Sequence, residues 1–219
     1  MAVADRRSRS LRDPWTWVGL ASGLAFVLMA MVVNQRGAVG FDDSVTALIQ
    51  GLPVPDSLWV AITILGGGLL ILVGIALVST LLRLRRRRSA LICAAALIGA
   101  SVSTSVIKVH VGRIRPPEAQ VPAPGFSFPS GHTLNSTVTY GLIALLIWRS
   151  DLPIWVRRLT AITLTTLVVL IGLSRVALGA HYPSDVVGGW AGGLAVVAVV
   201  AVLTSQNDGH PEGGRAADR

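Results

Sequence analysis

The sequence predicts an all-α integral membrane protein: a bundle of six spanning helices with both termini in the cytoplasm. Apolar residues make up 52% of the 219-residue chain and charged residues only 14%, whereas soluble domains carry about 25% charged residues. The apolar residues are concentrated in segments close to the length of a membrane span. The 19 lysine and arginine residues lie mainly in alternate connections between these segments, which is the charge pattern of membrane topology.

Six apolar segments follow one another along the chain. A spanning helix needs about 20 mostly apolar residues, and the fourth and fifth segments fall short of that length. Because these two are rich in threonine, we expect them to extend into their flanks and to pack inside the bundle. Backbone groups in lipid must satisfy their own hydrogen bonds, so all six should be helices. The segments are residues 15–33, 58–82, 89–107, 133–148, 159–173 and 186–203.

We expect one membrane domain over residues 15–203, between a cytoplasmic N-terminal tail (1–14) and a polar C-terminal tail (204–219). An alternative for the first segment is a signal peptide, with Ala38-Val39-Gly40 as a weak cleavage site. Its apolar stretch is longer than the roughly 7 to 15 residues of a signal core. We therefore favour an uncleaved first span.

The positive charges orient the predicted bundle. With six spans, 14 of the lysine and arginine residues fall on one side and 5 on the other. Because cytoplasmic loops carry the excess of positive charge, the first side is cytoplasmic, and topology rather than nucleic-acid binding explains the net charge of +8. The cytoplasmic set is Arg6, Arg7, Arg9, Arg12, Arg83, Arg85, Arg86, Arg87, Arg88, Arg149, Arg157, Arg158, Arg215 and Arg219; the outward set is Arg36, Lys108, Arg113, Arg115 and Arg175.

The first outward loop contains a helical repeat of apolar residues. Val45, Leu48, Ile49 and Leu52 share one face of a helix over residues 42–52, which predicts a short amphipathic helix in the membrane interface. The alternative is an irregular loop. The single cysteine, Cys93, lies in an apolar segment, so the sequence predicts neither an intramolecular disulfide nor a structural zinc site.

Three outward span ends carry residues suited to phosphate chemistry. Two arginines and a lysine can neutralise a phosphate dianion, since arginine binds phosphate through a planar fork of donors and lysine through a point charge. Backbone N–H groups at the start of a helix form a further anion site, to which a glycine leaves close access. The residues that we assign to phosphate binding are Lys108, Arg115, Ser130, Gly131 and Arg175.

Two histidines and an aspartate accompany these cations. Asp185 can hold one ring nitrogen of His181 and leave the other free to attack phosphorus. His132 can donate a proton to the leaving oxygen. Taken singly, each site residue has a structural explanation: Lys108 as a snorkelling anchor, Ser130 as a helix cap. Their concentration on one membrane face favours a joint site.

Three other residues receive no role. We expect His110 and Arg113 to be loop residues, and His210 to be inert in the polar tail. Asp185 itself has a second explanation, because an acid in the first turn of a helix complements the helix dipole.

Three motifs carry a resemblance to a known family. Lys108-x6-Arg115-Pro116, Pro129-Ser130-Gly131-His132 and Ser174-Arg175-x5-His181-x3-Asp185 resemble, in order and spacing, the signature motifs of the type 2 phosphatidic acid phosphatase superfamily. The resemblance implies a phosphatase that needs no metal or other cofactor and acts through a phosphohistidine. It implies His181 as the nucleophile, Asp185 as its partner, His132 as the general acid, and the other five residues as phosphate ligands. It also implies a site on the extracytoplasmic side of the plasma membrane.

The expected substrate is a lipid phosphate held in the bilayer. Polyprenyl diphosphate is our first choice, because the site faces the side where that carrier is released; phosphatidylglycerol phosphate and phosphatidic acid remain open. Alternatives are a vanadate-dependent haloperoxidase, a transporter or channel, and an inactive binding protein. Six spans argue against a haloperoxidase. The ionisable residues lie at span ends rather than in mid-span, which argues against a transporter or channel. The intact motifs argue against an inactive binding protein.

Overall fold

The computed structural model describes residues 13–33, 37–117 and 119–205. Within these ranges the chain forms eight helices and no strand, which confirms the all-α prediction. The N-terminal residues 1–12 and the C-terminal residues 206–219, His210 among them, lie outside the description. The helices are α1 (Pro14–Val33), α2 (Asp42–Gln50), α3 (Asp56–Ile64), α4 (Leu69–Arg83), α5 (Arg87–Val111), α6 (Gly131–Trp148), α7 (Ile154–Ala177) and α8 (Pro183–Ser205).

Five stretches of the described chain are long and apolar enough to cross a membrane: α1, α3 together with α4, α5, α7 and α8. Their outer faces carry large apolar side chains that are mostly exposed, such as Met31 (68%), Ile71 (68%) and Leu91 (69%). Soluble monomers rarely present apolar surface on this scale. The chain is therefore a multi-pass membrane protein whose outer faces contact lipid.

Helix α6, predicted as the fourth span, packs inside the bundle as expected. It contacts α4, α5, α7 and α8, and it buries hydroxyl side chains such as Ser136 and Thr139 along with its apolar residues. The same polar residues keep α6 out of the group of strongly apolar stretches. That α6 crosses the membrane as a sixth span, and that both termini are cytoplasmic, stay predictions.

The second predicted span is not one continuous helix, because residues 65–68 form a turn between α3 and α4. A Cβ atom at Gly66 would lie 2.4 Å from Cγ2 of Ile171, so only glycine fits there. The N–H groups of Leu65, Gly66 and Gly67 bond to carbonyls three residues earlier. Tyr140 Oη donates to the carbonyl of Leu65 at 2.8 Å. The break thus leaves these backbone groups hydrogen-bonded, as burial in a membrane requires.

Helix α8 approaches α6 closely. A Cβ atom at Gly193 would lie 2.5 Å from Cβ of Thr137, and one at Gly189 would lie 2.9 Å from Cβ of Thr133. Small residues allow helix backbones in membranes to come together in this way. The close packing fixes the start of α8 relative to the start of α6, and both helix starts carry predicted site residues.

The short amphipathic helix is present as α2, within the residues 42–52 predicted for it. Val45 and Ile49 pack against the end of α7 and the residue that follows it, Leu178, whereas Leu48 is exposed. Helix α2 also contacts α8. It therefore covers the end of the bundle at which α7 and α8 are joined.

Candidate active site

The predicted site residues come together at one end of the bundle, where α5 and α7 end and α6 and α8 begin. Six of the eight line one cavity of about 850 Å³: Lys108, Arg115, Gly131, His132, Arg175 and His181. The other two, Ser130 and Asp185, are fully buried. Asp185 contacts His181, and the backbone N–H of Ser130 donates to the carbonyl of Asp185 at 3.1 Å.

The segment that follows α5 folds back over the cavity. Gly112 ends α5 in the left-handed conformation, with φ of 65°, which favours glycine. The backbone N–H of Ser127 then donates to the carbonyl of Arg113 at 2.8 Å. Lys108 Nζ donates to the carbonyls of Phe126 (2.7 Å) and Ser127 (3.0 Å). These bonds hold the loop before α6 against the end of α5.

Arg115 links this loop to the nucleophile predicted from the sequence. Its guanidinium donates to the carbonyls of Gly125 at 2.9 Å and Ala180 at 2.6 Å. Nη1 also lies 3.0 Å from Nε2 of His181. Burial lowers the pKa of Arg115, with Asp185 opposing the shift, but a guanidinium stays charged in proteins. A fixed positive charge therefore stands beside the imidazole.

Arg175 is the most deeply buried of the three cations, with 4% exposure. Its Nη1 donates to Oγ1 of Thr63, the penultimate residue of α3, at 2.8 Å. Its Nε is buried without a hydrogen-bond partner. Because a buried unsatisfied donor is costly, this guanidinium is suited to an acceptor that enters the cavity.

The three cations take no part in the ion pairs that the described residues form. Among the described residues, no aspartate or glutamate lies within ion-pair distance of Lys108, Arg115 or Arg175. The N-terminus of α6, with its outward N–H groups and positive dipole end, opens on the same cavity. The site therefore carries uncompensated positive charge and can bind a multiply charged anion such as a phosphate.

Ser130 occupies the N-cap position of α6, as predicted, but its side chain makes no capping hydrogen bond. Its hydroxyl instead accepts a bond from Oγ1 of Thr133 at 2.9 Å. The side chain is fully buried, so its contribution here is to the shape of the helix start. Direct contact between Ser130 and phosphate stays a prediction.

His181 is held as a neutral imidazole. Its Nδ1 lies 3.3 Å from Oδ2 of Asp185, and its Nε2 faces the Arg115 guanidinium. Since arginine only donates hydrogen bonds, Nε2 is the acceptor and the ring proton sits on Nδ1. Burial lowers the pKa of His181 to about 3; Asp185 opposes the shift, and Lys108 and Arg115 add to it. The unprotonated Nε2 that a nucleophile needs is thus present at neutral pH.

His132 lines the same cavity, in the first turn of α6. The glycine turn between α3 and α4 passes directly beside its ring, since a Cβ atom at Gly67 would lie 3.2 Å from Nε2 of His132. The ring is only partly exposed. His132 is therefore available to a group in the cavity.

Arg113 lies in the loop after α5, as expected, but it has buried contacts that the sequence did not indicate. The residue is fully buried, and its Nη1 donates to Oδ1 of Asp185 at 2.6 Å while its Nη2 donates to Oδ2 of Asp42 at 2.8 Å. Its position two residues before Arg115, in a region that we predict to be outward and that is poor in cations, was the signal that could have identified it. The expectation that His110 lies in a loop is wrong, because this residue is in the last turn of α5, where it is exposed.

Sequence reasoning also missed three polar side chains that bind the buried residues Asp185, Arg175 and Arg113. Ser127 Oγ donates to Oδ2 of Asp185 at 2.5 Å, Thr63 binds Arg175, and Asp42 binds Arg113. Serine, threonine and aspartate are ordinary in loops and at helix ends, and these three lie far in sequence from their partners. No local pattern distinguishes them.

Comparison with known proteins agrees with this geometry. The family model of the PAP2 superfamily matches residues 89–208, which contain all eight predicted site residues. The chain belongs to the PAP2 superfamily. Phosphatidylglycerophosphatase B of Bacillus subtilis (strain 168) is 28% identical to this PAP2 protein over 183 residues, 81% of this chain and 90% of that protein. The decaprenylphosphoryl-5-phosphoribose phosphatase of Mycobacterium tuberculosis (strain ATCC 25618 / H37Rv) is 38% identical over 132 residues, 58% of this chain and 67% of that protein.

Solved structures show the same PAP2 fold. The crystal structure of the first transmembrane PAP2 type phosphatidylglycerolphosphate phosphatase from Bacillus subtilis superimposes with a TM-score of 0.72 at 25% identity, covering 87% of this chain and 98% of that one. The crystal structure of Aquifex aeolicus LpxE superimposes with a TM-score of 0.56 at 20% identity, covering 77% of this chain and 96% of that one. At this identity the comparison shows a similar fold only. The resemblance inferred from three short motifs is confirmed.

Proposed function

We propose that this PAP2 protein is a membrane lipid phosphatase that removes phosphate from a lipid on the extracytoplasmic face, through a phosphohistidine at His181. The observation that carries the proposal is the composition of one cavity. One end holds a neutral histidine and three cations for which the described part of the chain offers no carboxylate partner. The other end is apolar. A lipid phosphate matches this cavity, because it carries negative charge at one end and an apolar chain at the other.

The apolar part of the cavity runs between α4 and α5. On α4 its lining extends from Leu70 to Ser79, a rise of about 14 Å at 1.5 Å per residue. Ile71 of α4 and Ile98 of α5 line it and are also exposed on the outer surface of the bundle. This position supports entry of a lipid tail from the bilayer, with its phosphate directed towards the cations.

In the first half-reaction, the lone pair of His181 Nε2 attacks phosphorus and forms an N–P bond while the P–O bond to the lipid breaks. His132 delivers a proton to the leaving oxygen. The guanidinium groups of Arg115 and Arg175 and the ammonium group of Lys108 stabilise the charge on the equatorial oxygens. The imidazole becomes cationic when it is phosphorylated and keeps its Nδ1 proton, and the carboxylate beside it stabilises that charge.

In the second half-reaction, water hydrolyses the phosphohistidine. The unprotonated His132 removes a proton from the water as its oxygen bonds to phosphorus, the N–P bond breaks, and inorganic phosphate leaves. His181 recovers its neutral form and His132 is again protonated. Each turnover thus consumes one water and releases a dephosphorylated lipid.

The cavity suits a lipid with a long chain, because its apolar lining runs along α4 and α5. Polyprenyl diphosphate remains our first choice of substrate. The name of one relative supports phosphatidylglycerol phosphate, which was already a candidate, and the name of the other adds a decaprenyl-linked phosphoribose phosphate. Hydrolysis of each lipid by the purified protein, with phosphatidic acid included, ranks them.

A variant in the apolar part of the cavity tests whether the lipid tail binds as proposed. Gly74 lines the cavity, and a Cβ atom there would lie 3.2 Å from Cδ1 of Leu97, so Gly74→Leu fills the space between α4 and α5. The variant should lose hydrolysis of long-chain lipid phosphates and keep hydrolysis of a short-chain phosphate. Gly23→Leu is the matched control, because nothing lies within 4 Å of a Cβ atom at Gly23. An equal loss of activity on short-chain and long-chain phosphates would contradict the proposal that the lipid tail binds in the apolar part of the cavity.

A further inference from the structure

We propose that Arg113 and Asp42 are positioning residues, which hold the carboxylate of Asp185 in the orientation that supports His181. The inference rests on the proposed phosphohistidine mechanism. Asp185 Oδ2 accepts from Ser127 Oγ at 2.5 Å and from the backbone N–H of Tyr182 at 2.9 Å, and it faces Nδ1 of His181. The other oxygen, Oδ1, accepts from Arg113. The carboxylate therefore cannot turn away from His181 without losing its bond to Arg113.

Arg113 bridges two carboxylates that come from distant parts of the chain. Its Nη1 donates to Asp185 and to Oγ of Ser184 at 2.7 Å, and its Nη2 donates to Asp42 and to the carbonyl of Gly37 at 2.8 Å. Its guanidinium carbon also lies 4.3 Å from the centroid of the Tyr182 ring. A planar fork of donors makes such a bridge, whereas the single ammonium of lysine reproduces it only in part.

Asp42 supplies the other side of the bridge. It is fully buried at the start of α2. Its Oδ1 accepts from the backbone N–H of Ser184 at 2.8 Å, and its Oδ2 accepts from Oγ of Ser184 at 2.7 Å and from the N–H of Val39 at 3.0 Å. Asp42 thus compensates the buried charge of Arg113 and attaches the outward loop to the first turn of α8, where Asp185 lies.

Neither positioning residue reaches the cavity. Both side chains are fully buried, and neither belongs to the cavity lining. Asp185 and His181 stand between Arg113 and any bound phosphate. Loss of Arg113 should therefore slow the chemical step without weakening phosphate binding, which separates this role from those of Lys108, Arg115 and Arg175.

Kinetics of Arg113→Met, Arg113→Lys and Asp42→Asn on a lipid phosphate test the assignment. Arg113→Met should lower kcat by about 10- to 100-fold, as loss of a group that orients a reactive ligand does. KM and the inhibition constant of inorganic phosphate should stay within about twofold. Arg113→Lys should recover part of kcat, and Asp42→Asn should lower it less than Arg113→Met does.

Two matched controls separate positioning from a general loss of folding. Arg149→Met removes an arginine that donates to Oγ1 of Thr204 and the carbonyl of Ala201 at the other end of the bundle. Asp43→Asn changes the exposed neighbour of Asp42. Both should keep wild-type kcat. Unchanged kcat in Arg113→Met, or an equal rise in KM and in the phosphate inhibition constant, overturns the inference.

A spectroscopic measurement tests the inference without any substrate. In protein labelled with ¹⁵N-histidine, His181 should show the Nδ1–H tautomer, and Arg113→Met should shift its Nδ1 resonance or mix its tautomers, whereas Arg149→Met should not. Identical His181 spectra in the wild type and Arg113→Met overturn the positioning role. If the spectra change as expected but wild-type protein hydrolyses no lipid phosphate, the positioning role stands and the proposed function fails.

Discussion

Arg115 Nη1 and His181 Nε2 lie 3.0 Å apart. Because the guanidinium can only donate, the imidazole nitrogen that faces the cavity carries a lone pair. In the proposed mechanism a phosphate oxygen replaces this nitrogen as the partner of Arg115, and the lone pair is left to face phosphorus. The proposed mechanism thus gives this arginine two roles: it protects the unprotonated nucleophile in the free enzyme, and it binds the substrate in the complex.

The protonation of His181 gives a prediction for pH. Burial lowers its pKa to about 3, whereas an ordinary histidine has a pKa of about 6.5 and is almost fully charged at pH 4.5. We expect the ¹⁵N resonances of His181 to keep the neutral pattern from pH 7 down to about 4.5. A resonance of His181 that titrates near pH 6.5 would contradict the environment described here.

The two histidines should respond differently to the leaving group. His132→Ala should slow hydrolysis of a lipid alkyl phosphate by about 100- to 10,000-fold, the range of general acid catalysis. It should keep much of its activity on an aryl phosphate, whose leaving group departs without a proton. His181→Ala should be inactive on both, since a better leaving group does not replace a nucleophile.

His110→Ala is the matched control for these variants, because His110 is exposed at the end of α5 and does not line the cavity. It should keep wild-type activity on both substrates. If His132→Ala lost the same fraction of activity on alkyl and aryl phosphates, His132 would not be the general acid. Selective aryl phosphate activity in His181→Ala would remove His181 as the nucleophile.

The residues around the cavity could be predicted from the sequence because the relevant pattern is local. Each motif places its charged residues at the end of an apolar segment, and segments that cross a membrane must end at one of two faces. Lys108, Arg175 and His181 were therefore expected on one face before their contacts were known. The repeat of Val45 and Ile49 likewise predicted α2, since one apolar face is enough to predict a helix.

The supporting contacts could not be predicted because they depend on tertiary structure. Arg113 and Asp42 lie 71 residues apart in sequence, and neither occurs in a pattern that indicates a buried ion pair. The turn between α3 and α4 was missed for a different reason. Hydropathy averaged over a segment does not register a run of glycines, and the need for Gly66 arises from its contact with Ile171 on another helix.

Removal of metal ions should leave the activity unchanged. Lys108, Arg115 and Arg175 supply the positive charge that a divalent ion brings to a phosphoryl group in other enzymes. Within the described part of the chain, no three histidine, cysteine, aspartate or glutamate side chains are grouped so as to hold a metal ion. Hydrolysis of a lipid phosphate should continue in excess EDTA. Loss of activity in EDTA that magnesium restores would contradict metal-independent catalysis.

Topology can be tested by labelling in intact cells. Ala119 and Arg86 are both exposed and lie at opposite ends of α5 and the loop that follows it. In a Cys93→Ala background, Ala119→Cys should react with an impermeant thiol reagent and Arg86→Cys should react only after the membrane is opened. The reverse pattern would place the site in the cytoplasm.

The central claim is that phosphate passes through a covalent bond to His181. The most direct measurement is rapid acid-free quenching of the enzyme during turnover of a ³²P-labelled lipid phosphate, followed by mass spectrometry of the labelled peptide. We predict stoichiometric label on the peptide that contains His181, and no label in His181→Ala. Label on a different residue, or label retained by His181→Ala, would contradict the claim.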